Sequence, residues 1–274
     1  MVRVEMLAVG KELLIGRTLN TNAHWAGGRL ARIGTLLQEI TTVDDDLKEI
    51  SSALRGCLAR SPDVLIVVGG LGPTPDDMTL RGVAMGLHRK LRLNRAALEL
   101  VKQHYQKRGI GSVEMTPARK KMATLPAGSE PLANEVGTAT GVRIDAGKTV
   151  LFCLPGVPAE MRSLFARFVL PEVERKLGVM GRKAVRMKVE GVLESALAPM
   201  IRDELALYPG TYIKSHPRGV KEGRSRIELD IVSVKRKKED AERVGSAVAS
   251  DMVRAIRRGG GAITWSRGFR LEGD

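Results

Sequence analysis

The chain has 274 residues, 43% hydrophobic and 28% charged, with 3% aromatics, two cysteines and a net charge of +14. That length buries a sizeable core and lies between one and two domains. No apolar run approaches the roughly 18 residues of a membrane span, charge comes too early at the N-terminus for a signal peptide, and so few aromatics give no stacking platform for single-stranded nucleic acid.

Val2 to Val9 predicts a strand, Asn22 to Ile33 a helix, Thr35 to Val43 an extended segment and Leu47 to Ala59 a helix. The β-branched run within Asp63 to Val68 predicts a strand buried on both faces. Helices are predicted over Asp77 to Leu87 and Asn94 to Lys107, then Gly109 to Gly111 and a short helix near Ala118 to Ala123. Arg143 to Asp145 and Lys148 to Leu154 suit a hairpin turning at Ala146-Gly147, and Pro158 opens a helix to Leu170. This alternation predicts an α/β domain over residues 1–177: three layers, with a mostly parallel sheet covered on both faces and an antiparallel part late in the chain. After Gly178-Val179-Met180-Gly181 the order becomes strand, helix, two strands, helix, a small α+β domain over 180–258, with a loosely held tail over 259–274.

Lys and Arg number 23 against 16 Asp and Glu in residues 1–170, and 22 against 15 in 171–274, so the shorter part is the more basic. Such a field favours anionic partners, although Val234 to Arg243 reads best as the solvated start of the last helix. Cys57 and Cys153 lie far apart in apolar context and suit core thiols of a cytoplasmic protein. The four histidines form no ligand-like cluster, which argues against zinc.

Four loops each follow a predicted strand, and in a parallel sheet such loops converge on a ligand. In the first, Gly10 to Gly16, Glu12 suits a cation or a ribose hydroxyl and Lys11 a phosphate; both also suit an exposed salt bridge. Asn20 and Asn22 follow; they read on their own as helix caps, and Asn22 is also a candidate substrate contact. The second loop is Asp44-Asp45-Asp46, where Asp46 suits an N-cap. The third carries Gly69, Gly70, Gly72, Thr74, Asp76 and Asp77 from a strand to a helix N-terminus, which suits phosphate or a rigid capped turn. If Asp45 and Asp77 face one pocket, they can hold Mg²⁺ or a similar divalent metal against a diphosphate. The fourth group joins Asn134 to Gly141, including Gly137 and Thr138, with Pro155-Gly156-Val157-Pro158 and Glu160. No Walker loop, GxGxxG or Ser-His-Asp arrangement is present.

At Ala8 to Gly16 with Asn20-Thr21-Asn22, Gly69 to Asp77, and Leu154 to Pro158 with Glu160-Met161, the chain resembles the CinA family over roughly residues 1–175. Its N-terminal domain belongs to the molybdopterin-binding superfamily shared with MogA, MoaB and gephyrin, and the following α+β unit is similar to the KH-like domain of CinA proteins. The resemblance implies a nucleotide or pterin pocket at the strand ends and puts metal-site roles on Asp77 and Asp45. It implies metal-dependent hydrolysis of ADP-ribose-like diphosphates, with molybdopterin binding or adenylyl transfer as the alternative. Gly70, Gly72 and Thr74 would then face phosphate oxygens, and Lys11 would offset developing charge.

Two positions depart from the pattern: Lys11 stands where many relatives have Asp or Thr, and Thr140 where they often have Pro. The chain stops where longer CinA proteins continue into a deamidase domain, so that activity is expected to be absent. A non-enzymatic RNA-associated role is weakened because Gly219 and Gly223 lack the Gly-x-x-Gly spacing of a KH clamp. The resemblance also implies a homo-oligomer, a dimer or trimer.

Overall fold

The computed structural model describes residues 2–107, 114–178 and 181–268, and the chain divides into two compact units, Met1–Leu177 and Gly178–Asp274. The segment Gly109 to Gly111 lies outside the described residues.

In the first unit, β1 (Val4–Val9) leads through a single helical turn α1 (Lys11–Leu14) to α2 (Thr21–Arg32) and β2 (Leu37–Val43). Then follow α3 (Leu47–Ala59), β3 (Val64–Val68), α4 (Thr79–Gly86), β4 (Leu91–Leu93), α5 (Arg95–Lys107) and α6 (Pro117–Met122). The unit closes with β5 (Thr124–Pro126), β6 (Ser129–Leu132), β7 (Gly141–Ala146), β8 (Thr149–Leu154), α7 (Pro158–Leu164), a π-helical turn (Phe165–Val169) and α8 (Leu170–Leu177).

The main sheet runs β2-β1-β3-β8-β7-β6. Its first four strands are parallel, and β7 and β6 each pair antiparallel with the neighbour before them in that order. Both faces are covered, which is why β1, β3 and β8 are buried at every residue. Successive side chains alternate between layers. Leu7, Val9, Leu65 and Val67 pack with Ile50 and Leu54 of α3 and Val83 of α4. Met6, Val64 and Ile66 pack with Ala26 and Leu30 of α2 and Leu164 and Phe165 behind them. The expected three-layer α/β arrangement is therefore present, with Cys57 and Cys153 as free, buried thiols in one of the two cores.

Glu5 is fully buried in the middle of β1. Arg60 lies 2.6 Å and Arg3 2.9 Å from its two carboxylate oxygens, so the buried charge has cationic partners at both.

Three local expectations change. Residues 11–14 make a helical turn where a loop was expected. The helix expected to stop at Leu170 runs on to Leu177 through the π turn just before Pro171, whose missing N–H would leave an i−4 carbonyl without its donor. The strands β4 and β5, which pair antiparallel, and β6 on the main sheet were not expected.

The second unit runs β9 (Gly181–Glu190), α9 (Glu194–Leu207), β10 (Thr211–Lys221), β11 (Arg224–Lys235), α10 (Lys238–Arg258) and β12 (Ala262–Gly268), with sheet order β10-β11-β9-β12. Val185, Met187, Leu229 and Ile231 pack against Leu197 of α9 and Val248, Met252 and Ile256 of α10. The expected loose tail from Gly259 is corrected. Gly259 caps α10, Gly260 takes φ +80°, the Gly261 N–H donates to the Ile256 carbonyl, and β12 then pairs antiparallel with β9. No helix among the described residues is long and apolar enough to cross a membrane.

Candidate active site

The ends of β2, β1, β3 and β8 are drawn together by backbone. The Gly10 N–H donates to the Val43 carbonyl at 3.1 Å, and the Gly69 N–H to the Leu154 carbonyl at 3.0 Å. Gly69 has φ +112°, and a Cβ there would collide with the Val9 carbonyl oxygen, so only glycine lets β3 turn this close to β1. Outside these strand ends lies a cavity of about 270 Å³, lined by Val9, Gly10, Val68, Gly69, Gly70 and Gly156 from β1, β3 and β8. It lies where β1 and β3 lead away in opposite directions across the sheet, the place where open α/β sheets bind ligands.

Four carboxylates line this one cavity: Glu12, Asp45, Asp76 and Asp77. Asp45 and Asp77 are each anchored through one oxygen. The Lys11 backbone N–H donates to Asp45 Oδ2 at 2.9 Å. The Thr74 N–H and hydroxyl both donate to Asp77 Oδ2, at 2.9 and 2.7 Å. The other oxygen of each carboxylate accepts no hydrogen bond among the described residues. Burial pushes the Asp45 carboxyl above the ordinary range, the Lys11 N–H opposes this, and the negative charges of Glu12, Asp44 and Asp76 add to it. Asp46 takes the expected N-cap role, accepting from the Lys48 and Glu49 N–H groups at 2.8 and 3.0 Å.

Asn22 is 9% exposed, and its Nδ2 donates to the Gly156 carbonyl at 2.8 Å, tying α2 to the loop after β8. Its Oδ1 is buried in the cavity wall without a partner among the described residues. Asn20 alone caps the helix, accepting from the Ala23 N–H at 3.0 Å.

Of the residues singled out in the sequence, Glu12, Asn22, Asp45, Gly70, Asp77 and Gly156 line this cavity. Gly72 lines a neighbouring chamber that shares Gly70 and Asp77. The others do not line the main cavity, and Lys11 takes the second of its two expected places, an exposed salt bridge. Lys11 is exposed, with Nζ 3.4 Å from Asp44 Oδ2, so its backbone rather than its side chain serves the cavity. Thr74 gives both its N–H and its hydroxyl proton to Asp77 and so holds that carboxylate in place.

Gly137 and Thr138 do not line the cavity. Gly137 is buried against the Glu160 carboxylate, which would clash with any Cβ there, and its N–H donates to Asn134 Oδ1 at 3.0 Å. Pro155 is buried and does not line the cavity. Thr18 and Thr21 also line the wall; Thr18 was not singled out in the sequence, and Thr21 only as part of the Asn20-Thr21-Asn22 run.

The implied divalent metal fits this donor set in a particular way. No group of three His, Cys, Asp or Glu among the described residues is close enough to hold a cation by itself. Two anchored carboxylates with one open oxygen each, in an excess of negative charge, suit a hard cation whose other ligands are water and substrate phosphates.

A family model described as "Probable molybdopterin binding domain" matches residues 5–175. A protein of Aeropyrum pernix is 40% identical over 262 residues, covering 96% of each chain. One of Metallosphaera sedula is 38% identical over 259 residues, covering 94% of this chain and 96% of its own. Among solved structures, the protein CinA of Thermoplasma acidophilum, of unknown function, is 39% identical with a TM-score of 0.57, covering 62% of this chain and 98% of its own.

Proposed function

Because the chain belongs to the molybdopterin-binding domain family, with a CinA protein among its structural relatives, we propose that its first unit is a metal-dependent hydrolase of nucleotide diphosphates such as ADP-ribose. The observation that carries this reading is the pair Asp45 and Asp77, brought from the ends of two different strands to one cavity with one oxygen of each left open. They would hold a divalent cation against the diphosphate. When bound, the cation would neutralise phosphate charge and make a water molecule more acidic.

The protein's own groups do the rest. Thr74 keeps Asp77 turned toward the cavity, and the Lys11 N–H does the same for Asp45. Glu12 orients the attacking water or a ribose hydroxyl. Asn22 Oδ1 accepts from an N–H or O–H of the ligand, which gives that buried oxygen the partner it lacks. For ADP-ribose, water adds to one phosphorus, the bridging P–O bond breaks, and AMP and ribose 5-phosphate leave. The test is product chromatography on ADP-ribose, FAD, NAD and CoA with several divalent metals. Metal-dependent turnover of at least one, reduced about 100-fold or more in Asp77→Ala, supports the reading; turnover untouched by that substitution refutes it.

The family description supports a second reading, binding of a pterin, with its adenylylation as the reaction that would follow. ATP consumption that requires an added pterin, with no diphosphate hydrolysis, would favour it.

A further inference from the structure

On the other side of the Gly70–Asp77 bend lies a second chamber of about 420 Å³. Gly70 and Asp77 line both spaces, so the two adjoin at this ridge. Beside the ridge the fully buried Thr79 hydroxyl stands against Gly70 without a hydrogen-bond partner among the described residues.

The two spaces differ in charge. The first is ringed by carboxylates, whereas the second has Arg81, Lys120 and Lys121 around an apolar wall that includes Leu71, Leu80 and Leu91. Lys121 is fixed in place, because its Nζ donates to the Thr74 carbonyl and so ties the end of α6 to the acidic loop. Arg81 and Lys120 form no ion pair among the described residues. An exposed arginine and lysine without carboxylate partners, at the rim of a partly apolar chamber that adjoins a proposed diphosphate site, provide donors for a further anionic group.

We infer that this chamber is a phosphomonoester subsite: it takes a third phosphate, carried on one arm of a diphosphate ligand, while the apolar wall receives the rest of that arm. The site as a whole then selects diphosphates bearing such a group over those ending in an unphosphorylated sugar. This inference rests on the diphosphate reading of the main cavity, and its test separates the two.

The experiment is equilibrium dialysis of two matched pairs, NADP⁺ against NAD⁺ and CoA against dephospho-CoA. Each pair differs by one phosphomonoester. Magnesium is present, and intact ligand is measured by chromatography in both chambers. The phosphorylated member is expected to bind more tightly by roughly tenfold or more, the scale of charge-assisted hydrogen bonds to phosphate.

In Arg81→Ala/Lys120→Ala the ratio of affinities should fall toward one, and in Arg81→Lys/Lys120→Arg it should persist. Both side chains are exposed, and Lys121 is left in place because it anchors the loop. Equal affinity within each pair, no binding of either member, or a ratio that survives the alanine variant overturns the subsite. A ratio that behaves as expected while no ligand is cleaved supports the subsite and counts against the hydrolase reading. Cleavage without any ratio does the reverse.

Discussion

Asp45 concentrates the conflict between stability and function in this site. Its carboxyl is raised by burial first, and by the carboxylates of Glu12, Asp44 and Asp76. A carboxyl whose folded pKa lies above its unfolded value binds its proton more tightly in the native state, so native stability falls as pH rises through the raised value. Asp45→Asn removes this penalty and keeps an acceptor for the Lys11 N–H. At pH 7 it is therefore expected to raise the melting temperature, by roughly 1–3 °C, and the gain should vanish below pH 4. Magnesium should raise the melting temperature of the unmutated protein and not that of the variant. A scan showing Asp45→Asn less stable at pH 7 would contradict this. Asn22 carries a second prediction. Asn22→Ala loses both the tie to Gly156 and the unpartnered Oδ1, so the Kd for any nucleotide the protein binds should rise roughly tenfold; an unchanged Kd in a titration would remove Asn22 from the binding site.

At the level of elements, the strand β1 depends on its buried Glu5. Arg60 comes from the C-cap of α3 and reaches Glu5 at 2.6 Å, so the pair fastens helix to sheet. Arg60→Ala leaves that charge with Arg3 alone and should cost about 3 kcal/mol in urea unfolding; a loss under 1 kcal/mol would show that the pair contributes little. Which elements could be read in advance follows from their physics. Leu47–Ala59 has an Asp cap at Asp46 and an amphipathic period, and its observed bounds match those expected. The β-branched run of β3 and the turn between β7 and β8 were equally legible. The strands β4 and β5 were not, because each has three residues and pairs with a segment some thirty positions away. The π turn was hidden for a related reason: Pro171 signals a stop, and only packing of Phe165 and Val169 in the core shows that the helix continues past it.

Over the whole molecule, convergence was legible and aim was not. Strand–loop–helix alternation indicated which loops would meet, since that follows from parallel topology. It could not show that Thr74 turns back onto Asp77, that Gly137 packs on Glu160, or that the Lys11 side chain leans to Asp44, because those depend on rotamers within the assembled site. The tail was misread because three consecutive glycines look like a loosening chain, whereas here they make the turn that delivers β12 to the sheet. Ile263 packs against the second unit's core from that strand. Deleting residues 259–274 should therefore speed amide exchange in β9; exchange unchanged by the deletion would mean that β12 adds nothing. The central claim is that Asp45 and Asp77 jointly hold a divalent cation against a diphosphate. Its most direct test is anomalous scattering from crystals grown with Mn²⁺ and a non-hydrolysable ADP-ribose analogue. The expected result is a single peak bonded to one oxygen of each aspartate and to the analogue's phosphates; a peak elsewhere, or a diphosphate bound away from both aspartates, would contradict it.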